Sequence, residues 1–185
     1  IIVDAGPPEA RVDRQLRHIG LHTLAALVIT HAHRDHVGGA EAVLRRLSVG
    51  GVIDPLQPGA GSDERAMRRT ARRLGVPLVP ARVGRDYVLG RLRVRVLWPD
   101  RAGSPDADPH AHGTVLLASY GSIDLLLTGD SESAVTRSLP LRRVEVLKVA
   151  HHGSSDDGLA DELSVLRPRV AVVSVGAHNG YDHPR

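Results

Sequence analysis

Within the six residues from 31 to 36 stand His31, His33, Asp35 and His36, and no other feature constrains this chain as strongly. Imidazole nitrogens and carboxylate oxygens hold divalent transition metals where thiolates are absent, and the sequence contains no cysteine. Two histidines separated by one residue can chelate one ion, while Asp35 and His36 turn toward a second. The flanks argue for a built site rather than a solvated cluster. Leu24 to Thr30 is an apolar, partly β-branched run, as a buried strand requires. Gly38-Gly39 then allows a tight turn and opens a helix through about Leu47. Polar residues on a loop that closes a rigid strand are how a sheet builds a site at its edge.

The rest of the chain fits an α/β layered fold. Its 185 residues are enough for one domain with a substantial core and too few for two. Aromatic residues make up only 2%, with no Phe, so that core must be Val, Leu, Ile and Ala. Strands are expected at residues 1–3, 49–53, 78–79, 87–89, 92–97, 114–119, 123–127, 144–149 and 170–175. Helices are expected from Ser62, read as the cap, to Leu74, then over residues 132–139 and 158–166. The Pro/Asp/Gly-rich stretch 100–109 reads as a loop. No apolar run approaches the ~20 residues of a membrane span, and no basic-then-apolar leader opens the sequence. The net charge of +3 is almost wholly arginine, Lys148 being the only lysine, and is compatible with a phosphate-bearing substrate.

Three further motifs follow apolar strands. Leu125-Leu126-Leu127-Thr128-Gly129-Asp130 places a carboxylate where it can face a site. Leu147-Lys148-Val149-Ala150-His151-His152-Gly153-Ser154 ends a strand in paired histidines, which can supply a ligand, a general acid or a hydrogen bond to an oxyanion. Ser174-Val175-Gly176 leads to Asn179-Gly180-Tyr181-Asp182-His183-Pro184. Asp35, His151 and His152 are the catalytic candidates, and Lys148, Ser154 and Asn179 the substrate contacts. His18 and His22 flank Gly20 in a turn and read as surface residues, and His178 as a solvated loop residue. The helix bearing Arg65, Arg68, Arg69, Arg72 and Arg73 reads as a solvated face, with a nucleic-acid contact as the alternative.

The segment Leu27-Val28-Ile29-Thr30-His31-Ala32-His33-Arg34-Asp35-His36-Val37-Gly38-Gly39 resembles the signature of the metallo-β-lactamase superfamily. The resemblance implies an αββα sandwich with a dinuclear centre at the sheet edges. It further implies that His31, His33 and His112 hold one metal, that Asp35, His36 and His183 hold the other, and that Asp130 bridges them. His112 is preferred to His110 because it lies closer to the strand at Thr114. More narrowly, the later motifs, with Val96-Leu97-Trp98-Pro99, resemble the hydrolase domain of the ComEC/Rec2 DNA-uptake proteins. Members of that group often carry Asp at the position of His33 and Asn at that of His112, so this chain has the fuller histidine set. The family's strand hairpin before Val3-Asp4-Ala5-Gly6 and its strands after the His-Pro pair are absent. The sequence is therefore expected to be a single domain over 1–185 cut from a larger protein, with Asp4 structural beneath the metal loop.

The function so implied is a nuclease with two divalent ions, Zn or Mn, degrading one strand of incoming DNA at the outer face of a membrane. Its partners would be single-stranded DNA and the rest of a membrane-embedded uptake protein. A small-molecule hydrolase of the same fold, or a non-catalytic metal-stabilised DNA-binding module, are the competing readings.

Overall fold

Strand pairing shows why the apolar runs are long and the strands that form from them short. The computed structural model describes residues 1–59, 61–104, 106–176 and 179–185, and these divide into two compact units, 1–81 with 101–109 and 82–100 with 110–185.

The first unit runs β1 (Ile2–Val3), α1 (Val12–His18), β2 (Thr23–Leu24), β3 (Leu27–Val28), α2 (Arg34–Val37), α3 (Ala40–Arg46), β4 (Ser48–Val49), β5 (Val52–Asp54), α4 (Ser62–Arg73) and β6 (Leu78–Pro80). The run expected as one strand over 24–30 is split. β2 pairs with β4, whereas β3 joins the parallel sheet β1-β3-β5-β6. The 49–53 run splits in the same place. The Gly50 N–H donates to the Leu24 carbonyl at 2.9 Å, and a Cβ on Gly50 would come within 2.6 Å of the Ala25 carbonyl oxygen. Glycine is thus required where the chain passes from one pairing to the next. Leu27, Ile29, Val37, Val43, Val52, Met67 and Ala71 form the buried core, with Val12 and Leu16 of α1 packed against it. Helix α1 is absent from the sequence expectation because only these apolar residues mark its inner face. Helix α4 begins at Ser62 as expected, but Gly61 is its cap and no side chain caps it.

The second unit carries β7 (Asp86–Leu89), β8 (Leu92–Trp98), β9 (Val115–Tyr120), β10 (Ile123–Leu127), α5 (Ser133–Thr136), β11 (Val146–Lys148), α6 (Leu159–Leu166) and β12 (Val170–Val172). They form one sheet in the order β12-β11-β10-β9-β8-β7. The β7 to β10 stretch is an antiparallel meander, and β11 and β12 add in parallel. Alternation of arginine with valine in β8 puts Arg93 and Arg95 outside and buries Val94 and Val96. Leu126, Leu147, Leu166 and Val115 form the core beneath. Both units leave their polar motifs where strands end.

Candidate functional site

In the first unit the site residues sit where β3 runs out. The chain passes through Thr30 and His31, and His33 caps α2, accepting the amides of His36 and Val37 at 3.0 and 2.9 Å. This turn gathers the imidazoles: the His31 ring centroid is 4.7 Å from that of His33 and 4.1 Å from that of His36. The Asp35 carboxylate lies 3.7 Å from His36 Nε2. His31 and His36 are buried, whereas Asp35 is exposed.

Asp4, just after β1, fixes this loop from beneath. Its Oδ1 accepts the Thr30 amide at 2.8 Å, and its Oδ2 accepts the Thr30 hydroxyl at 2.8 Å and faces His36 Nδ1 at 2.7 Å. Thr30 Oγ1 in turn lies 3.1 Å from His31 Nδ1. A carboxylate on one ring nitrogen selects the tautomer whose other nitrogen carries the lone pair, which orients and strengthens a histidine ligand. Asp4 adopts a left-handed backbone, φ 60°, a conformation Asp tolerates better than most residues. The adjoining segment is stitched down by Ala5 N–H to His36 O and Gly39 N–H to Gly6 O, both 2.8 Å. A side chain at Gly39 would collide with the Ala5 carbonyl, so the second glycine of the motif is there for close approach.

Gln57 supports the same loop. This buried side chain accepts the Ala32 amide at 3.2 Å and donates to the Pro109 carbonyl at 2.7 Å. Its position follows from the end of β5, where buried Asp54 accepts the Leu56 amide at 2.8 Å and the Arg68 guanidinium at 2.8 and 3.1 Å. Glu64 pairs with the same arginine. Burial, followed by the charge of Asp54, pushes the Glu64 carboxyl up to about 7, with Arg68 opposing.

The second unit assembles a different set. His110, Asp130 and His151 offer ligand atoms that all lie within 4.8 Å of one another. Asp130 is 3% exposed; Lys148 Nζ lies 3.6 Å from its Oδ1 and His152 Nε2 lies 3.6 Å from its Oδ2. His151 and His152 occupy left-handed backbone at φ 47° and 55°. Successive non-glycine residues there are strained, which the fold must over-determine. It does so with His151 N–H to Gly129 O at 3.2 Å, Ser154 N–H to His151 O at 2.9 Å and Arg185 N–H to Gly153 O at 2.8 Å. The two rings are anchored apart: His151 Nδ1 meets Glu132 Oε1 and His152 Nδ1 meets the Ser174 carbonyl, both at 2.7 Å. Each ring therefore engages its Nδ1, and His152 turns its Nε2 toward Asp130. The Ser131 hydroxyl donates to the His110 carbonyl at 2.9 Å, tying that loop to the Asp130 turn.

Several expected residues are placed otherwise. His110, not His112, joins Asp130 and His151. The His112 ring instead stacks on Trp98 at 6.5 Å and 17°, because Trp98 Nε1 donates to the Ala111 carbonyl at 2.8 Å and draws that residue toward β8. His183 comes within 6.1 Å of the His151 ring, centroid to centroid, and among the described residues its buried Nδ1 has no hydrogen-bond partner. Lys148 donates to the Gly129 carbonyl at 2.7 Å. Asn179 uses its amide on Gly176 O, His183 O, His183 N and Tyr181 N, and so shapes the loop that presents His183. Ser154 contributes its amide to the His151 turn. His178 lies outside the described residues. Glu132 and Gln57 went unread in the sequence because neither belongs to a donor cluster; Glu132, two residues past Asp130, was the nearer to being legible.

The donor chemistry fits divalent metal in both units. Buried imidazoles in the first unit, and a buried carboxylate with half-buried imidazoles in the second, suit Zn or Mn in the absence of thiolate, and His36 and His151 each carry the outer carboxylate partner typical of histidine ligands.

The family model described as the metallo-beta-lactamase superfamily matches residues 1–178. The chain is 32% identical over 170 residues to ComE operon protein 3 of Bacillus subtilis, covering 89% of this chain and 22% of that protein. It is 30% identical over 163 residues to Recombination protein 2 of Haemophilus influenzae, covering 87% and 19%. The chain thus spans about a fifth of the length of these curated relatives. Among solved structures, CmlA, a diiron beta-hydroxylase from Streptomyces venezuelae, aligns with a TM-score of 0.54 at 16% identity over 88% of this chain and 40% of that one. The metallo-beta-lactamase fold protein YhfI from Bacillus subtilis aligns with a TM-score of 0.51 at 15% identity, over 78% and 56%. At such identities the likeness is one of fold.

Proposed function

The chain belongs to the metallo-β-lactamase superfamily, and from that premise we propose that it is a metal-dependent hydrolase that cleaves phosphodiester bonds of DNA. Its fold is that of the superfamily, and residues 1–185 are proposed to act as one domain of a longer protein. The observation that carries the reading is the pair of donor sets: His31, His33, Asp35 and His36 on one loop, and His110, Asp130 and His151 with His183 nearby in the second unit.

Two divalent ions, Zn or Mn, are the proposed cofactors, and such ions polarise a phosphoryl group and activate water at neutral pH. Asp4 and Glu132 orient His36 and His151 as ligands. His152, with Nδ1–H donating to the Ser174 carbonyl, has its lone pair at Nε2, where it takes a proton from the attacking water and passes it to the departing 3′ oxygen. Lys148, 3.6 Å from Asp130 Oδ1, holds that carboxylate in place. No side chain need act as nucleophile. The relatives include ComE operon protein 3 and a competence protein of Neisseria gonorrhoeae. This supports a role in DNA uptake, with single-stranded DNA and the remainder of a membrane-embedded protein as partners and an extracytoplasmic position for this domain. Among the described residues no helix is long and apolar enough to cross a membrane.

The test is digestion of end-labelled single- and double-stranded DNA by metal-stripped protein resupplied separately with Mn and Zn, beside a D35A/H36A variant and a panel of chromogenic esters and lactams. Metal-dependent DNA cleavage lost in the variant is expected. Turnover confined to the small substrates would overturn the nuclease assignment and leave the hydrolase.

A further inference from the structure

The arginines around one groove of the first unit differ from three on the second unit's sheet. On the second unit's sheet, Arg95 is paired with Asp86 at 2.7 Å, Arg93 reaches the same carboxylate at 4.0 Å, and Arg142 meets Asp124 at 3.0 Å. These guanidinium charges are answered locally. On the first unit, α3 and α4 enclose an open groove of about 420 Å³ lined by Glu41, Arg45, Ala66, Arg69, Arg72 and Arg73. Its one carboxylate is already occupied. Glu41 accepts the Thr70 hydroxyl at 2.8 Å and Arg45 at 2.8 and 3.1 Å, and the Thr70 hydroxyl followed by Arg45 holds its carboxyl below the usual range. Arg73 donates to Thr70 Oγ1 at 3.0 Å and reaches the Glu41 carboxylate at 4.0 Å, so that one carboxylate is shared between Arg45 and Arg73. Among the described residues Arg69 and Arg72 have no ion-pair or hydrogen-bond partner, and both are exposed.

Helix geometry explains the segregation. Glu64, Met67, Arg68 and Ala71 form the inner face of α4, with Arg68 consumed by Asp54 and Glu64. The remaining arginines are thereby forced outward, and Arg65, Arg69 and Arg72 lie in one row at i, i+4 and i+7. Successive members rise about 6 and 4.5 Å along the axis, steps on the scale of a phosphodiester chain, and the planar guanidinium matches phosphate oxygens two at a time.

We propose that this groove binds the phosphate backbone of single-stranded DNA, with Arg69 and Arg72 as its principal contacts and Arg45 and Arg73 as its walls. The inference rests on the nuclease reading and adds to it a surface that holds substrate apart from the metal-type donors. The row contains no aromatic residue, so binding is to backbone and indifferent to base sequence. A linear row of arginines favours a strand over the broad plane of a lipid headgroup surface.

The experiment measures fluorescence anisotropy of a labelled single-stranded 20-mer with the metal-stripped full chain, so that cleavage does not intervene, across a salt series. R69A/R72A is compared with R85A/R143A, which removes the same charge from exposed positions in the second unit. The expected result is a loss of about tenfold in affinity for R69A/R72A, and a salt slope shallower by about 1.4, since each single-strand phosphate contact contributes about 0.7. R85A/R143A should stay within about twofold of the parent, with its slope unchanged. Equal losses in both variants would reduce the effect to bulk charge and overturn the proposal. So would unaltered binding in R69A/R72A, or binding to phosphatidylglycerol vesicles but not to DNA. Thermal midpoints of both variants, expected to match the parent, exclude unfolding as the cause. Failure of the nuclease reading would appear separately, as absent cleavage in the metal-resupplied protein with this binding pattern intact.

Discussion

The two groups of candidate metal donors are assembled by opposite routes. In the first unit the sequence supplies His31, His33, Asp35 and His36 within one turn, and the fold has only to anchor that turn through Asp4 and Gln57. In the second unit His110, Asp130 and His151 come from segments separated by twenty residues or more, and each needs its own tether: Ser131 for the His110 loop, Lys148 for Asp130, Glu132 for His151. A contiguous set loses one ligand to a mutation and keeps its geometry. A dispersed set stands on strained backbone at His151 and His152, where loss of a tether moves the ligand itself.

The sharpest break of that contrast removes donors. D35A/H36A and D130A should each abolish metal-dependent hydrolysis, a loss beyond the roughly 10–100-fold expected for an outer partner, with metal content measured on the purified proteins. H110A should fall with them. H112A should retain metal and activity and lose only a few degrees of thermal midpoint through the Trp98 stack. Should H112A lose metal while H110A keeps it, the second unit's donor set would have to be redrawn around His112.

A smaller effect comes from the tethers. D4N and E132Q each replace a carboxylate facing a histidine Nδ1, and metal affinity by chelator competition should fall about 10–100-fold in each. The profiles should differ. D4N also disturbs Thr30, which Asp4 holds by both amide and hydroxyl, so it should lower the thermal midpoint as well. E132Q, at a partly exposed pair, should spare stability and act on the metal alone. Equal destabilisation by the two would mean that the dispersed set depends on its tethers no more than the local one.

The same contrast governs what could be read in advance. The His31 to His36 cluster is legible because donors, preceding strand and following glycines are neighbours in sequence, and helix α4 and strands β6 to β10 follow from periodicity and turn residues. The split of residues 24–30 into β2 and β3 was not legible, because both halves are buried and pairing partners leave no mark on an apolar run. Nor was the choice between His110 and His112: both lie in an irregular stretch without period, and the bond from Trp98 to Ala111 decides between them. Gln57 and Glu132 act through contacts with residues 25 and 19 positions away, which no local pattern encodes.

The smallest effect tests whether the local set leans on its buried support. Glu64, with its carboxyl near 7 in the folded chain and 4.5 as its ordinary value, keeps a proton that the unfolded chain releases between those pH values. Its contribution to stability is therefore complete below about pH 4.5 and is lost as pH rises through 7, when a second carboxylate must be buried beside Asp54 with only Arg68 to share. The swing is on the order of 2 kcal/mol, or several degrees of thermal midpoint. E64Q resembles the protonated form at every pH, so the parent should match it near pH 5 and fall below it by pH 8. Because Arg68 and Asp54 set the end of β5 that leads to Gln57, and Gln57 holds the Ala32 amide, the loss should reach the metal loop as faster hydrogen exchange at Ala32 in the parent than in E64Q at pH 8, after correction for intrinsic rate. Identical pH profiles in the two proteins would mean that Glu64 is already ionised in the fold and that the hold of Gln57 on the loop does not depend on it.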